Sequence, residues 1–516
     1  MRSIGLLAAS VWLAAAAAIT PAQPDDTKEP PRRAAKDPAR ADRVYAAIDR
    51  KDWPQAERLL LEQIDAGEGG FVPYYNLACV SAVTGRGDEA LEWLVKSVER
   101  GFSDLHTLRR DTYLNRLRDH PGYRALIDAW PEILARRIDT DVRLAREFFG
   151  GPMHEERDEG LRIVVLSSFD EKARAQARRE IALVDHWARR TLFPGMMEAP
   201  ESKDDPWVTV VLPRREGFVK WSVLTYGPAS LTGAGAVGGA YSHDEKRLVS
   251  QDLGATLRHE FLHVLHWRHT TRLGQRHPIY IQEGLCSLVE DFDVIPDPAG
   301  AGGPDLIVPV SSWRTNIVKR RERFGSLPTI AALASMPHER FVASSPLANY
   351  AAARTLFQWL DAQGKLGAWY AHYTANFDAD PTGVRSFEHV LGVPAKDLDK
   401  AWRAWIRALP EVPEEITRGM ASLGLEVEAG DGDGCRVTAI GPPEPGRLGR
   451  RPSSARGVEG EVRLGDVIRT IDGKPVREMA EMVRVLSGYR PGDTVRLEIR
   501  RGRSIEDVAF KLIAKP

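Results

Sequence analysis

The stretch LRHEFLHVLHWRH at residues 257–269 places four histidines and one glutamate within thirteen residues. His259 and His263 are four residues apart, a spacing that directs both imidazoles to the same face of an α-helix. Two imidazoles suit Zn²⁺, which in reactive sites takes three protein ligands and keeps a fourth position for water. Glu260 is offset by about a quarter of a helical turn, where it reaches that water and takes its proton without binding the metal. The stretch therefore predicts a helix that binds one zinc ion per chain and carries its own base.

The residues of this stretch leave the third protein ligand open. In the metzincin pattern HExxHxxGxxH, the last histidine stands where this chain has His269, but the glycine stands where it has His266. That glycine allows a sharp turn of the backbone after the second ligand, and a residue with a Cβ pays a steric cost there. A helix that continues through VLHW carries His269 around and away from His263. His269 is therefore disfavoured, and a ligand from another segment is the alternative.

A second segment, IYIQEGLCSLVE, has apolar residues at helical spacing and carries Glu283 twenty residues beyond His263. HEFLH followed at this distance by a Glu-Gly pair resembles the gluzincins, the thermolysin-like side of peptidase clan MA. The chain is similar in particular to the peptidase-MA-like families of secreted bacterial proteins, over about residues 161–409. The resemblance implies that His259, His263 and Glu283 are the zinc ligands and that Glu260 is catalytic.

The same resemblance implies an α+β catalytic domain of the zincin (thermolysin-like) type at residues 155–410. LRIVVLSS and WVTVVLP are predicted as strands by their β-branched content, with a long helix between them. A hairpin then precedes the active-site helix, and its edge strand, within 238–250, is expected to pair with the substrate backbone. A later helix is expected to supply a hydrogen bond to the oxyanion; Tyr350 is the candidate, with a packing role as the alternative. Glu290 and Asp291 are candidates to orient a zinc-binding imidazole.

Residues 41–135 show helical patterns throughout. WPQAERLLLEQI around Ala56 and GDEALEWLVKSV around Ala90 are offset by thirty-four residues, the period of a tetratricopeptide (TPR) repeat. A small residue such as Ala78 lets the two helices of a hairpin approach closely. Two repeats are few for an independent solenoid, so we expect this TPR-like domain to pack against its neighbour. A generic helical bundle is the alternative.

The last part of the chain changes to short strands with one helix. LGDVIRTIDGKPV and PGDTVRLEIRRG resemble bacterial PDZ domains, which implies a β-rich, peptide-binding domain at 418–516. The resemblance also implies that the C-terminal carboxylate of a peptide is bound by the backbone N–H groups of Leu423, Gly424 and Leu425. A Pro/Arg/Ser-rich insert at 442–461 departs from the family pattern and is predicted to be a mobile loop.

The N-terminus is predicted to be a secretory signal at residues 1–22. Arg2 precedes an apolar, alanine-rich run at 4–19, and Thr20-Pro21-Ala22 ends in the small residue that signal peptidase requires. An uncleaved membrane anchor is the alternative, because the run approaches the length of a spanning helix. Residues 23–40, rich in Pro, Ala and charge, are expected to form a disordered linker. We therefore expect an exported protein, periplasmic or extracellular.

The composition narrows the choice of partners. The formal net charge is −1, so the chain lacks the basic excess on which nucleic-acid binding depends. Its three cysteines lie in different regions, which argues against a disulfide framework. The sequence thus predicts a multidomain α+β protein, an exported zinc peptidase that hydrolyses protein or peptide substrates. The alternative is a catalytically inactive zincin-fold scaffold that only binds peptides; inactive relatives usually lack at least one site residue, whereas here every expected one is present.

Overall fold

The computed structural model describes residues 38–67, 70–196, 199–231, 237–296, 305–441 and 453–516 of the 516-residue chain. The predicted signal peptide and most of the predicted linker lie outside these ranges. The first helix begins at Pro38, within the last residues assigned to the linker. In the described ranges, no helix is both long and apolar enough to cross a membrane.

Seven α-helices open the described chain, and the first four pack on one another in sequence order. Asp52 begins the second helix by accepting a hydrogen bond from the backbone N–H of Gln55, at 3.2 Å. Ala78 and Ala90 are fully buried where the third and fourth helices meet, so these helices approach as closely as predicted. The helices are α1 (Pro38–Asp49), α2 (Trp53–Asp65), α3 (Val72–Val83), α4 (Gly87–Glu99), α5 (Leu105–Arg110), α6 (Pro121–Asp128) and α7 (Trp130–Phe149), with a 3₁₀ helix at Thr112–Leu117.

A five-stranded sheet follows, in the order β1-β2-β3-β5-β4. β2, β3 and β5 run parallel, and β1 and β4 pair antiparallel at the two edges. Every residue of β2 and β3 is buried, as expected for central parallel strands covered on both faces. The elements are β1 (His154–Asp158), β2 (Ile163–Ser167), α8 (Glu171–Thr191), β3 (Val208–Leu212), α9 (Arg215–Tyr226), β4 (Gly239–Ser242) and β5 (Arg247–Ser250), with 3₁₀ helices at Pro200–Asp204 and Pro228–Leu231.

The predicted order of strand, helix, strand, hairpin and helix is present as β2, α8, β3, the β4–β5 hairpin and α10 (Ala255–Leu273). β1 and α9 were not predicted from the sequence. β1 reads HEERD and exposes four of its five residues, so it lacks the apolar alternation that marks a strand. α9 buries only Phe218 and Ser222, which leaves no continuous apolar face to read.

The helices that follow the sheet build the largest hydrophobic core of the described chain, together with α8 and α10. A short hairpin, β6–β7, interrupts them directly after the second site segment. These elements are α11 (Ile279–Cys286), a 3₁₀ helix (Ser287–Glu290), β6 (Phe292–Ile295), β7 (Leu306–Pro309), α12 (Trp313–Arg323), α13 (Ile330–Ala334), α14 (His338–Ala343), α15 (Pro346–Ala362), α16 (Leu366–Ala375), α17 (Val384–Leu391) and α18 (Ala395–Ala408).

The C-terminal region is β-rich and has its own core. Its main sheet has the order β16-β15-β13-β10-β9, with β14 paired to β13, so β9 is an edge strand. The elements are β8 (Ala421–Ser422), β9 (Leu425–Ala429), β10 (Cys435–Ile440), β11 (Ser454–Arg456), β12 (Glu461–Arg463), β13 (Val467–Ile471), β14 (Lys474–Pro475), α19 (Met479–Leu486), β15 (Thr494–Arg501), β16 (Ser504–Lys511) and β17 (Ile513–Ala514).

The predicted mobile loop at 442–461 is wrong for its second half. β11 pairs with β12 there, and the backbone N–H of Val458 donates to the carbonyl of Ala509 at 2.7 Å. Val462, directly after the insert, is fully buried in the C-terminal core and fixes this part of the chain. Residues 442–452 lie outside the described ranges.

A buried ion cluster joins the C-terminal region to the sheet domain. Glu180 of α8 accepts hydrogen bonds from Arg258 Nη1 of α10 and from Arg477 Nη2, which precedes α19, each at 2.8 Å. Burial alone raises the pKa of the Glu180 carboxyl, but the two guanidiniums lower it to about 2. Because an unpaired buried charge is costly, each of the three side chains depends on the other two.

A second buried ion pair joins the helical module, the predicted TPR-like domain at 41–135, to the β4–β5 hairpin. Lys246, whose side chain is 1% exposed, donates to Asp104 at 2.8 Å. Arg137 of α7 donates to the backbone carbonyls of Asp244 and Glu245, at 3.3 and 2.9 Å. Asp104 of the module and Arg137, just beyond it, therefore hold the turn of the hairpin in place, in keeping with the expectation that the module packs against its neighbour.

We expect Glu180→Gln to lower the free energy of unfolding by about 3–5 kcal/mol, because it leaves two buried guanidiniums without a counter-charge. The pKa of Glu180 is lower in the folded protein than the ordinary value of 4.5, so its contribution is full above that pH. The contribution is lost as the pH falls through about 2. Urea denaturation of wild type and variant at pH 7 and at pH 3 measures the difference.

Glu171 offers a matched control on the same helix. It also lies between two arginines, Arg174 and Arg178, but its side chain is 66% exposed. Glu171→Gln is expected to leave the urea midpoint unchanged, since exposed ion pairs contribute little. Equal losses of stability in the two variants would contradict the role given to the buried cluster.

Candidate metal centre

The first two candidate ligands lie on α10, where the predicted helical face is realised. His259 and His263 are both buried, and their Nε2 atoms are 3.1 Å apart. α10 continues without a break to Leu273 and ends at Gly274, which adopts the left-handed conformation. The backbone therefore makes no turn at His266, the position where the alternative ligand pattern needs one.

Glu283 reaches the same point from α11. Its Oε2 lies 3.2 Å from His259 Nε2 and 3.4 Å from His263 Nε2, and all three side chains are buried. Within the described ranges these three residues are the one His/Cys/Asp/Glu group whose ligand atoms could hold a metal ion together. A tetrahedral ion with bonds of about 2.0–2.2 Å has ligands about 3.3–3.6 Å apart. The donor atoms and their spacing therefore fit Zn²⁺.

The glycine after Glu283 has a structural reason. A Cβ at Gly284 would lie 2.6 Å from the ring of Phe357 and 2.9 Å from the carbonyl oxygen of Ala353, both on α15. Only a residue without a side chain lets α11 pack this closely on α15. The Glu-Gly pair thus sets the depth at which the Glu283 carboxylate meets α10.

His269, the competing candidate, lies away from this cluster. Its Nδ1 is 3.0 Å from the Tyr370 hydroxyl, and its ring packs on Phe193. His266 and His277 pair with each other, with ring nitrogens 2.9 Å apart. The structure therefore brings Glu283, and not His269, to the two imidazoles.

A second layer of side chains orients His259. Its Nδ1 lies 2.9 Å from Glu290 Oε1, which leaves Nε2 directed towards Glu283. Arg314 of α12 donates to the same carboxylate, with Nη2 2.9 Å from Glu290 Oε1. Such a carboxylate partner fixes the tautomer and orientation of a metal-binding imidazole. Glu290 was predicted from the sequence as a residue that orients the imidazole. Arg314 was not predicted, because no local sequence pattern marks it.

The electrostatics of the site favour a cation. Burial alone lowers the pKa of the His259 imidazole, but hydrogen bonds to Glu283 and Glu290 raise it to about 10. Burial raises the pKa of the Glu283 carboxyl, but the two imidazoles hold it well below its usual range. In the same way Arg314 and His259 lower the pKa of Glu290 to about 2. Two ionised carboxylates thus hold a positive charge on the imidazole between them.

Glu260 is buried beside the cluster without joining it. Its Oε2 accepts a hydrogen bond from the backbone N–H of Tyr241 in β4, at 2.8 Å. A Cβ at Gly239 would lie 2.6 Å from Thr256 and 3.3 Å from Glu260, so the glycine lets the edge strand approach α10. Burial raises the pKa of Glu260, an effect that His259 and His263 partly offset. A raised pKa suits a carboxylate that takes up and returns a proton.

Two tyrosines are influenced by the charges of this site. The ring of Tyr350 stacks at 6.5 Å from the ring of His259, and its hydroxyl interacts with Glu283. Burial raises the pKa of Tyr350 well above its ordinary value, so it stays a neutral hydrogen-bond donor. Burial and the charge of Glu260 likewise raise the pKa of Tyr226, at the end of α9. Tyr226 was missed because the helix that carries it was not predicted.

Comparison with known proteins identifies the C-terminal region. Residues 451–512 match the family described as PDZ domain, so the β-rich region is a PDZ domain, as predicted. A segment of 66 residues, 13% of this chain, is 42% identical to "Protease Do-like 8, chloroplastic" of Arabidopsis thaliana and covers 14% of its length. Among solved structures, an aminopeptidase N family protein from Idiomarina loihiensis matches at a TM-score of 0.24 and 11% identity. That match covers 71% of this chain and 67% of the other.

The choice between the two candidate third ligands is testable by metal analysis. We expect Glu283→Gln to lose zinc on dialysis, because the variant removes the one anionic ligand from the cluster. His269→Gln is the matched control and is expected to keep about one zinc per chain, because its ring contacts Tyr370 instead. Atomic absorption on both purified variants gives the answer. Zinc loss only in His269→Gln would overturn the assignment.

Zinc binding is expected to release protons. The pKa of His259 is about 10 in the metal-free protein, so at pH 8 its imidazole is protonated and must lose a proton to bind metal. We expect release of about one proton per zinc at pH 8 from this residue, and a zinc affinity that rises about tenfold per pH unit towards pH 10. Calorimetric titrations in two buffers of different ionisation enthalpy count the protons. Heats that do not depend on the buffer would contradict this account of the site.

Proposed function

We propose that this protein is an exported zinc-dependent peptidase of the gluzincin type, with its catalytic domain at residues 155–410. The observation that carries the proposal is the convergence of two imidazoles and one carboxylate beside a separate, buried Glu260. His259, His263 and Glu283 would hold the ion. Zinc bound there would polarise a substrate carbonyl and lower the pKa of a water molecule at its open position.

The side chains of this chain supply the proton transfers. Glu260 accepts a proton from the attacking water and returns it to the amide nitrogen that leaves. Its raised pKa brings the carboxylate closer to the range in which both transfers are efficient. The hydrogen bond from Tyr241 holds it at the edge strand rather than at the ligands.

The Tyr350 hydroxyl would donate to the oxygen that gains negative charge as the carbonyl is attacked. Its ring lies against His259, and burial keeps the hydroxyl protonated. Arg314 holds Glu290 in place and passes beneath the Tyr350 ring, with the guanidinium carbon 5.7 Å from the ring centroid. Arg314 is therefore a positioning residue for both His259 and Tyr350.

The substrate is a protein or peptide. β4 is an edge strand whose backbone reaches Glu260, so an extended substrate can add to it by main-chain hydrogen bonds. The PDZ domain, proposed to span 418–516, would bind a chain terminus with Leu423, Gly424 and Leu425. The helical module at 41–135 is proposed to be TPR-like and to bind partners. Export through the signal at 1–22 completes the proposal, and nothing in the near-neutral charge suggests nucleic acid as a partner.

The decisive variant is Glu260→Gln. It keeps the size of the side chain and all three metal ligands, so zinc content is expected to stay at about one per chain. Peptide cleavage is expected to fall by about 10²–10⁴-fold, the contribution of a general base. Zinc analysis and mass spectrometry of a peptide mixture incubated with each protein measure both. Equal cleavage by the two proteins would remove Glu260 from the mechanism, and no cleavage by either would favour the inactive scaffold.

A further inference from the structure

Two sheets in different regions of the chain each end in an edge strand. β4 is the last strand of the catalytic sheet, and β9 is the last strand of the PDZ sheet. Beside β9 runs α19, and Leu425, Val427 and Val485 are only partly buried between them. The PDZ domain thus presents an apolar groove along an edge strand, the arrangement that binds an extended peptide.

Both walls of this groove end on the same segment of the catalytic domain, residues 251–254. At the tip of the β9–β10 turn, the carbonyl of Gly432 accepts a hydrogen bond from the backbone N–H of Leu253, at 3.2 Å. On the other wall, Arg477 and Glu481 lie directly against Gly254. The end of the groove that is distant from Leu423 therefore lies against residues 251–254.

The same segment leads directly to the edge strand of the catalytic site. The backbone N–H of Gln251 donates to the carbonyl of Gly238 at 2.9 Å, and Gly239 pairs with Ser250. β4 therefore begins where the PDZ groove ends. Two residues further along β4, the N–H of Tyr241 meets the Glu260 carboxylate.

The polarity of the two edges is compatible with a single bound chain. A peptide with its carboxylate at Leu423–Leu425 has its end beside the start of β9, so it runs antiparallel to β9. Its upstream residues leave the groove at residues 251–254 and reach β4 at Gly239. There the bound peptide runs from Ser242 towards Gly239, so it is antiparallel to β4 as well. Antiparallel pairing is the more stable arrangement. A chain of the opposite direction would pair parallel with both strands, the less stable arrangement, and would not bring its carboxylate to Leu423–Leu425.

Resting on the proposed function, we infer that the substrates are extended polypeptides with a free C-terminal carboxylate, bound by both edges at once and cut at a fixed distance from that terminus. β9 has five residues, and the junction adds a few more before Tyr241. At about 3.4 Å per residue, the bond that is cut lies about eight to twelve residues upstream of the carboxylate.

The reaction is one hydrolysis. The C–N bond of the peptide breaks, the oxygen of water joins the carbonyl carbon, and a proton joins the nitrogen. The upstream product gains a new carboxylate, and the downstream product of about ten residues gains an amine while its original carboxylate stays at the PDZ domain.

One buried ion pair and two more exposed contacts keep the distance between the two edges constant. Arg477 is paired with Glu180 inside the interface, and Arg484 of α19 donates to the carbonyl of Phe292 at 2.9 Å. On the sheet side, Arg469 contacts Asp170 at 3.2 Å. Because the separation is fixed, the position of the bound C-terminus determines which peptide bond is cut. A peptide bound at one edge is also held close to the other edge, so binding at each edge strengthens binding at the other.

The test uses the full, zinc-loaded chain and two synthetic peptide libraries of about twenty residues with mixed internal sequence and an apolar last residue. One library ends in a free carboxylate and the other in an amide. Mass spectrometry is expected to show cuts about eight to twelve residues from the free terminus, and cleavage of the amide library reduced about tenfold or more. For a single cleaved sequence, adding three residues to its C-terminus should move the cut three residues downstream.

A cut that stays at the same internal sequence, with equal cleavage of acid and amide, would overturn the inference and leave the peptidase proposal intact. If wild type cleaves nothing, the peptidase proposal fails, and a binding measurement with Glu260→Gln still decides the inference. By fluorescence anisotropy, the long acid peptides should bind about tenfold tighter or more than the amides and than acid peptides of about six residues. Equal binding of all three would overturn it.

A substitution in β9 tests the role of the groove without changing the metal site. Val427→Lys places a charge in the apolar groove and is expected to abolish the difference between acid and amide libraries, while zinc content stays at about one per chain. Glu428→Lys is the matched control, because neighbouring residues of a strand point to opposite faces and Glu428 is exposed. It should keep the preference for free carboxylates; loss of the preference in both variants would count against the groove.

Discussion

The placement of three buried carboxylates around two imidazoles is the constraint on which the rest of this molecule depends. The side chains of Glu260, Glu283 and Glu290 are all buried close to the imidazoles of His259 and His263. A buried carboxylate is costly unless a positive charge or several hydrogen bonds compensate it. Arg314 compensates Glu290, but Glu283 depends on protons held by the imidazoles or on a cation between them. Such a cluster is hard to explain as packing, and its His/His/Glu donor atoms could hold a metal ion together.

The helix that carries the imidazoles also carries the domain interface. Arg258 directly precedes His259 and donates to the carbonyl of Val289 at 2.8 Å and to that of Glu290. Its third guanidinium nitrogen, Nη1, donates a hydrogen bond to Glu180, which also accepts a hydrogen bond from Arg477 of the PDZ region. The backbone that positions Glu290 is therefore tied to the buried ion cluster between the domains. One network of hydrogen bonds therefore both holds the PDZ domain against α8 and α10 and fixes the segment that orients His259.

Local spacing was sufficient to predict part of this site, and contacts distant in sequence account for the remainder. The four-residue interval of His259 and His263 is a property of one helix, so the sequence predicts their common face. Glu283 was predicted as a ligand from a family resemblance. Local spacing could not predict it, because its distance to His259 depends on how closely Gly284 lets α11 pack on α15. Ion pairs such as Glu180 with Arg477 join residues 297 positions apart, and no periodicity marks them. β1 and α9 escaped prediction for a related reason: each buries too little to leave an apolar pattern.

The edge strand β4 is held at both ends by contacts from other parts of the chain. At its turn, Lys246 is buried against Asp104 of the helical module, and Arg137 binds the backbone of Asp244 and Glu245. At its start, Gly238 pairs with Gln251, beside the PDZ contact at Leu253. A four-residue edge strand has few ladder hydrogen bonds of its own and would otherwise move easily. With both ends fixed, the N–H of Tyr241 meets Glu260 at a defined place, so the position of the Glu260 carboxylate depends on contacts at both ends of β4.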